Sequence, residues 1–498
     1  MKRFLWLGFV VLVYGICTGC GDTFRPIIIP NPPVFPNPAA AHTVVTISDN
    51  GTIVPGSAMV TDVSGDTDLS IGNTDIHPVH AVQQTGTQVL VVNQAVSPAS
   101  VGSVPTSSCL VTIPVDGVLT TYDVCPSISK LDFSNLVISS TSTISLPIYA
   151  GSNFIAVAPS STTAYVTMPT YPPDPTHPLT IVPSVGVVST LSDNVVATIP
   201  VGLNPYALAV TPDNTKLYVA NQGDGTISGF NTVDRSQRTI SPSGTSSPPI
   251  WLQARSDSQK VYVLEQTTGT LASIDTTSTA GPDVLTETSI SVPTAQKLTY
   301  DSNLNRLYIP GEAVVQSALQ SAVVIVDVSQ SPPAPIATVP ITAILPNSRA
   351  TQDPCSATAV TTLNTVDVAA LPDGSRAYAG TYYEDTAVPP NICPQVTVID
   401  AVSNTVKSTI AIPGFPAYDA FCGLPVSQQG PRFRIMMAAG GDSSRAYMSS
   451  CDGGMVNIID TSTDTYILNL AAPASTRPPI PPNLQNPPQN PVFLIAGP

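Results

Sequence analysis

Residues 216–226, KLYVANQGDGT, are the stretch whose reading decides the fold. It is a short strand that alternates apolar and polar side chains and closes on a Gly223-Asp224-Gly225 turn. Near-copies recur along the whole chain. Aligned on Tyr218 they form a column of Leu90, Tyr165, Tyr262, Tyr308, Tyr378 and Tyr447. Where the copies lie closest their spacing is roughly 45 residues, the length of one four-stranded propeller blade, and insertions widen it elsewhere. The column predicts an all-β chain, a β-propeller of four-stranded antiparallel blades.

Working outward, one full unit fills residues 204–241. A first strand at 205–210 (PYALAV) meets the turn TPDNTK, rich in turn formers. A second strand follows at 216–221, a third at 226–230 and a fourth at 237–240. The same grammar returns in the turns RSDSQK before Val261, DSNLNR before Leu307, LPDGSR before Ala377 and GGDSSR before Ala446. Third strands read LASID from Leu271, VVIVD from Val323, VTVID from Val396 and VNIID from Val456. Fourth strands read ATIPVG from Ala197, ATVPI from Ala337 and STIAIPG from Ser408. Each alternates or is apolar throughout, as a strand buried between two blades must be.

These lines together resemble the YVTN (YncE-like) β-propeller repeat, over most of residues 41–472. The ends of the chain bear on blade number. Residues 58–72 match a third and a fourth strand, and residues 43–48 a second, with no first strand before them. At the other end residues 491–498, PVFLIAGP, look like a lone first strand. Pairing these termini closes the ring and removes two exposed sheet edges. The count is then eight blades, with seven, the family's commoner number, as the alternative. The Pro-rich residues 473–490 form the strap that leads to the closing strand.

Of 498 residues, 42% are hydrophobic and only 10% charged, so a large core is available and surface polarity falls to Ser, Thr, Asn and Gln. The formal charge of −15 argues against nucleic acid as a partner. Lys2 and Arg3 precede an apolar run from Phe4 to Ile16, of signal-peptide length. That run ends in Cys17-Thr18-Gly19-Cys20, which resembles the bacterial lipobox, so Cys20 is the expected lipidation site. Residues 1–19 then read as a lipoprotein signal peptide, 20–41 as a Pro-rich spacer and 42–498 as the propeller. The expected location is the cell envelope, with the lipid anchor as the sole membrane contact.

In a blade, the links between strands one and two and between three and four share one face. The two-to-three links and the links to the next blade share the other. Here the one-to-two turns are short. The insertions, at 95–108, 169–178, 311–321, 345–364, 381–394 and 415–431, fall on the opposite face. Elaborated loops on a rigid scaffold are where binding resides. The cysteines follow this geometry. Cys355 and Cys393 fall in links of one blade on one face, and Cys422 and Cys451 repeat the arrangement, so disulfides Cys355–Cys393 and Cys422–Cys451 are predicted. Cys109 and Cys125 remain as a third pair. An even count in an exported chain supports this reading.

The candidate ligand face comprises His77 and His80 near the channel mouth, with His177 also on the elaborated face. It also includes the aromatic-acidic residues Tyr382, Tyr383, Glu384 and Asp385, with Tyr418 and Asp419 in the neighbouring blade. Exposed aromatics beside carboxylates suit a sugar or a peptide, and Arg432 and Arg434 are placed to pair those acids. His77 and His80 lack an evident third ligand, so no metal or other cofactor is expected. The chain carries no G-x-S-x-G elbow, HExxH helix or phosphate-binding glycine loop. Propellers related to the repeat family include lactonases, quinoprotein amine dehydrogenases and copper-dependent nitrous oxide reductases. Four histidines are too few for the copper sites. The expected function is a non-catalytic binding or scaffolding module with an unidentified protein or glycan ligand. A lactonase-like hydrolase at the channel mouth and a structural surface component are the alternatives.

Overall fold

The computed structural model describes residues 43–50, 55–94, 110–115, 118–123, 126–134, 137–147, 150–159, 161–170, 181–356, 360, 362–388, 390–417, 422, 433–472 and 490–496. The chain forms an eight-bladed β-propeller of four-stranded antiparallel blades. Blade 1 combines the two termini: Asn490–Ala496 is its innermost strand, followed outward by Thr43–Asp49, Pro55–Asp62 and Thr67–Ile76. Val45 pairs with Ile495 and Ile47 with Phe493, so the ring closes as the terminal patterns predict.

The other innermost strands are, in ring order, Pro78–Thr85 (blade 2), Ile155–Val157 (3), Pro205–Val210 (4), Pro249–Ala254 (5), Thr299–Asp301 (6), Asn364–Ala370 (7) and Ile435–Ala439 (8). Blade 5 shows why the sequence patterns look as they do. Its second and third strands, Lys260–Glu265 and Thr270–Asp275, are buried almost throughout because neighbouring blades cover both faces. Its outer strand Asp283–Ser289 alternates buried and exposed, since the blades splay apart toward the rim. The tyrosine column sits at these blade contacts and is essentially solvent-free at every position.

On the short-turn face most joints of the ring are clasped. The basic residue two positions before the tyrosine reaches into the next blade. Lys216 donates to the Ser278 carbonyl at 2.7 Å and faces buried Asp283, which also accepts the Tyr218 hydroxyl at 2.8 Å. Arg306 donates to Asn404 at 3.0 Å and Arg376 to Asp464 at 2.8 Å. Arg445 grips Asp66 through Nε at 2.9 Å and Nη2 at 3.0 Å, joining blade 8 to blade 1. Blade 2 carries Leu90 in the column, and there Lys130 on the adjoining strand supplies the cation to Asp193 at 2.6 Å. Asp66, Asp193, Asn404 and Asp464 occupy the left-handed position of their three-to-four turns, with φ of 51, 53, 56 and 54°. Asp and Asn tolerate that conformation best among side chains with a Cβ. One residue thus both makes the turn and accepts the clasp.

The insertions differ in kind from the sequence expectation. Those at 311–321 and 381–394 are largely strand rather than irregular loop. Arg306–Val315 pairs with Ala318–Asp327, and Arg376–Glu384 with Asn391–Asp400, as lengthened hairpins. The first turns on Gln316 and Ser317, both at positive φ, the backbone of a two-residue hairpin turn. The insertion in blade 2 carries a further hairpin, Leu110–Val115 with Val118–Asp123, that its sequence did not announce. In blade 4 the outer strand Gln237–Arg238 is short. The chain then leaves it, and Ile240–Ser241 pairs in parallel with the outer strand of blade 5.

Candidate functional site

The channel mouth on the elaborated face is built by the starts of the innermost strands. In blades 2, 4 and 5 these strands begin with Pro78, Pro205 and Pro249, and in blade 1 Pro491 is the second residue; the missing N–H of proline suits a strand start. A register shift follows each proline, and another falls between Thr365 and Asp367 in blade 7. Such a bulge re-aims the residue after it. That residue is Phe493, His80, Ala207, Trp251 and Asp367 in blades 1, 2, 4, 5 and 7. Phe154 and Met436 hold the same register in blades 3 and 8, opposite Thr167 and Ser449. Lys297, two residues before the blade 6 strand, supplies the eighth member.

Six of these side chains, His80, Phe154, Phe493, Trp251, Lys297 and Asp367, form one connected group across the ring axis. The His80 ring stacks on Phe154 at 3.8 Å between centroids and meets Phe493 at 4.8 Å. Trp251, in blade 5, contacts Phe154 at 5.3 Å, and His80 and Phe433 at 6.4 Å each, joining blades that are not neighbours. The channel is therefore plugged by aromatic rings at this level. Lys297 Nζ lies 5.8 Å from the Trp251 ring centroid and 2.7 Å from Asp367 Oδ2, which also accepts the Met437 N–H at 2.9 Å. The second Asp367 oxygen accepts the Val368 N–H at 2.8 Å. The ion pair is thus embedded with hydrogen bonds on both carboxylate oxygens, as a buried charge requires.

Burial, reinforced by the nearby Lys297 charge, pushes the His80 imidazole down to about 3. It is a neutral ring within an aromatic stack. His77 lies apart, at φ 57°, with its Nδ1 2.7 Å from Asp49. The two histidines do not converge, and among the described residues no group of three or more His, Cys, Asp or Glu is placed to hold a metal ion.

The aromatic-acidic stretch divides across its strand, because alternate residues face opposite sides. Tyr382 lies under the Arg434 guanidinium at 5.4 Å, and Glu384, half-exposed, pairs with the same arginine. Arg434 also lies 2.8 Å from Asp452, so it ties the blade 7 hairpin to blade 8. Tyr383 corrects the expectation of an exposed aromatic: it is fully buried, with Arg349 5.8 Å from its ring centroid. Asp385 is also buried. It accepts the Ala387 and Asn391 N–H groups at 3.0 and 2.7 Å, which shapes the hairpin turn. Arg349 reaches the carbonyls of Ile412 at 2.9 Å and Pro394 at 3.0 Å and so fastens the link between blades 6 and 7.

The disulfides Cys355–Cys393 and Cys422–Cys451 are both formed, each with Cα atoms 5.8 Å apart. They staple the long links of blades 7 and 8. Cys20, Cys109, Cys125, His177, Tyr418 and Asp419 lie outside the described residues. Sequence reasoning missed the plug. Its signal is the third residue of the inner-strand triplets Pro-Val-His80, Pro-Ile-Trp251 and Pro-Val-Phe493.

Comparison with known proteins supports the architecture. No family model matches the chain, and no curated protein does. Among solved structures, apo AztD from Citrobacter koseri is similar with a TM-score of 0.52 at 9% identity, over 92% of this chain and 98% of that one. The dihydro-heme d1 dehydrogenase NirN matches with a TM-score of 0.50 at 10% identity, over 91% of this chain and 77% of that one. The periplasmic gluconolactonase PpgL of Pseudomonas aeruginosa has a TM-score of 0.46 at 10% identity, over 74% and 96%. At these identities the shared property is the propeller fold.

Proposed function

We propose that this chain is an exported, lipid-anchored propeller of the YVTN type that acts as a non-catalytic binding or scaffolding module through its elaborated face. The observation that carries the reading is the contrast at the channel mouth. The floor is filled by aromatic rings, and the links around it are lengthened, cross-braced by Arg349 and Arg434, and stapled by two disulfides. Lengthened, braced links around a filled channel suit recognition of a protein or glycan surface better than turnover of a small substrate. The charged groups described there are already engaged. Lys297 is paired with Asp367 and His80 is held neutral. Buried disulfides fit an oxidising compartment, and the lipobox-like Cys20 fits anchorage there.

Two measurements test this together. Purified protein is assayed against a panel of sugar lactones with and without divalent metal, and its binding is probed on glycan and peptide arrays. The expected result is hydrolysis no faster than buffer, with array binding lost when residues 386–390 of the blade 7 hairpin are cut to a two-residue turn. Lactone turnover that disappears in a His77→Ala/His80→Ala variant would replace the binding reading with the hydrolase one. Release of a Cys20→Ala variant from the membrane fraction tests the anchor.

A further inference from the structure

The joint between blades 5 and 6 departs from the others, and its difference opens a groove. Lys260 stands where Lys216, Arg306, Arg376 and Arg445 stand in their blades, two residues before the tyrosine. The blade 6 link that should meet it, residues 328–333, reads Val-Ser-Gln-Ser-Pro-Pro and carries no Asp or Asn at the turn. Lys260 instead folds back onto Asp275 of its own blade, 3.3 Å away. The short Arg255 and Tyr262 contacts to the Val328 carbonyl, at 3.2 and 3.3 Å, hold the joint together farther in. What remains between the blade 5 face and Ser331 is a cavity of about 440 Å³, within the usual range for small-ligand sites.

The chemistry of the lining is specific. Hydroxyl groups come from Ser273, Thr277, Ser278, Thr286 and Ser331, and Pro282 and Val284 supply an apolar strip. Lys260 is more than nine-tenths buried, and its one hydrogen bond among the described residues, to Asp275, leaves two ammonium protons for a guest. Burial alone would raise Asp275. The Thr277 hydroxyl and N–H, with Lys260, outweigh that and hold the carboxyl below its ordinary range. The charges in the groove therefore cancel, and an anionic guest would meet a fixed carboxylate.

We propose that this lateral groove binds an uncharged saccharide, a segment of two or three sugar units. Its hydroxyls exchange hydrogen bonds with the Ser and Thr groups and Lys260, while the apolar strip takes a C–H face of a ring. The site lies on the flank of the ring, away from the elaborated face, and stands whether or not that face binds anything.

The test is calorimetric titration of the full-length protein with chitotriose, maltotriose and cellotriose, and with gluconate and inorganic phosphate as anionic probes. Saturable binding of at least one neutral trisaccharide is expected, weakened tenfold or more by Lys260→Met and by Thr286→Val. Thr286 is exposed, so its variant keeps the fold even if the Lys260 change does not. Tyr382→Ala, at the elaborated face, should leave this affinity unchanged. The proposal is overturned by an absence of binding to all three neutral sugars, by affinity unaltered in Thr286→Val, or by tighter binding of gluconate or phosphate.

Discussion

The two faces of this ring solve the same problem by different means. On the short-turn face, several neighbouring blades are held by a repeated clasp, in which a cation beside Tyr308, Tyr378 or Tyr447 meets an Asp or Asn that also makes the next blade's turn. On the elaborated face there is no repeat to exploit. Lengthened hairpins, two disulfides and the individually placed Arg349 and Arg434 do the holding, above an aromatic plug. A face built from one repeated contact is constrained to stay regular. A face whose contacts are particular to each blade is free to diverge, and it is the second kind that can acquire a ligand.

The sharpest way to break this contrast is at the plug. Trp251→Ala removes the ring that joins blades 2, 3 and 8 across the axis and should cost about 3–5 kcal/mol, read from urea unfolding. If the loss is as small as for a rim substitution, the plug is not what supports the mouth. Next in size, Cys355→Ser/Cys393→Ser should lower stability by about 2–4 kcal/mol. It should also raise amide exchange in residues 341–364 while leaving the short-turn face protected.

His80 yields a pH signature that separates the two faces. Its folded pKa, about 3, lies below its unfolded value of 6.5, so the unfolded state binds more protons between those limits. The stability it contributes is whole above about 6.5 and declines as pH falls toward 3, by at most about 1.4 kcal/mol per pH unit. Unfolding of His80→Phe, compared with the parent at pH 7, 5.5 and 4.5, should show a shallower acid loss. Equal slopes would place a proton acceptor beside the ring. Smallest is Arg445→Met, which opens one clasp. Both partners are partly exposed, so about 1 kcal/mol is expected once solvent screening is discounted. A comparable loss at Arg376→Met would show that the clasps act as equivalent units.

How far the sequence reveals this architecture depends on whether a feature repeats. The tyrosine column, the basic residue before it and the Asp or Asn turns recur because most blades meet a neighbour in the same way, so one unit read closely locates the others. The closing blade was legible too, since a lone first strand at 491–498 completes the three strands that lack one. The plug was not legible from any single residue. His80, Trp251 and Lys297 come from different blades, and only the bulge after each inner-strand proline aims such residues at a common point. The aromatic-acidic stretch misled for a local reason: alternation along the strand puts Tyr383 inside and leaves Tyr382 and Glu384 to Arg434. The hairpin at 110–123 belongs to one blade alone and so had no register to betray it.

Blade 1 also sets an order of events. Its three outer strands are synthesised before the other seven blades, and its innermost strand, Asn490–Ala496, after them. At ordinary translation rates the interval is roughly 20 to 90 seconds. Throughout it, Thr43–Asp49 has an edge with no partner, a template for any extended chain nearby. The ring therefore cannot close until Asn490–Ala496 has been made. Deletion of residues 490–496, which leaves every other blade intact, withholds the one strand that commits the ring to a single closed state.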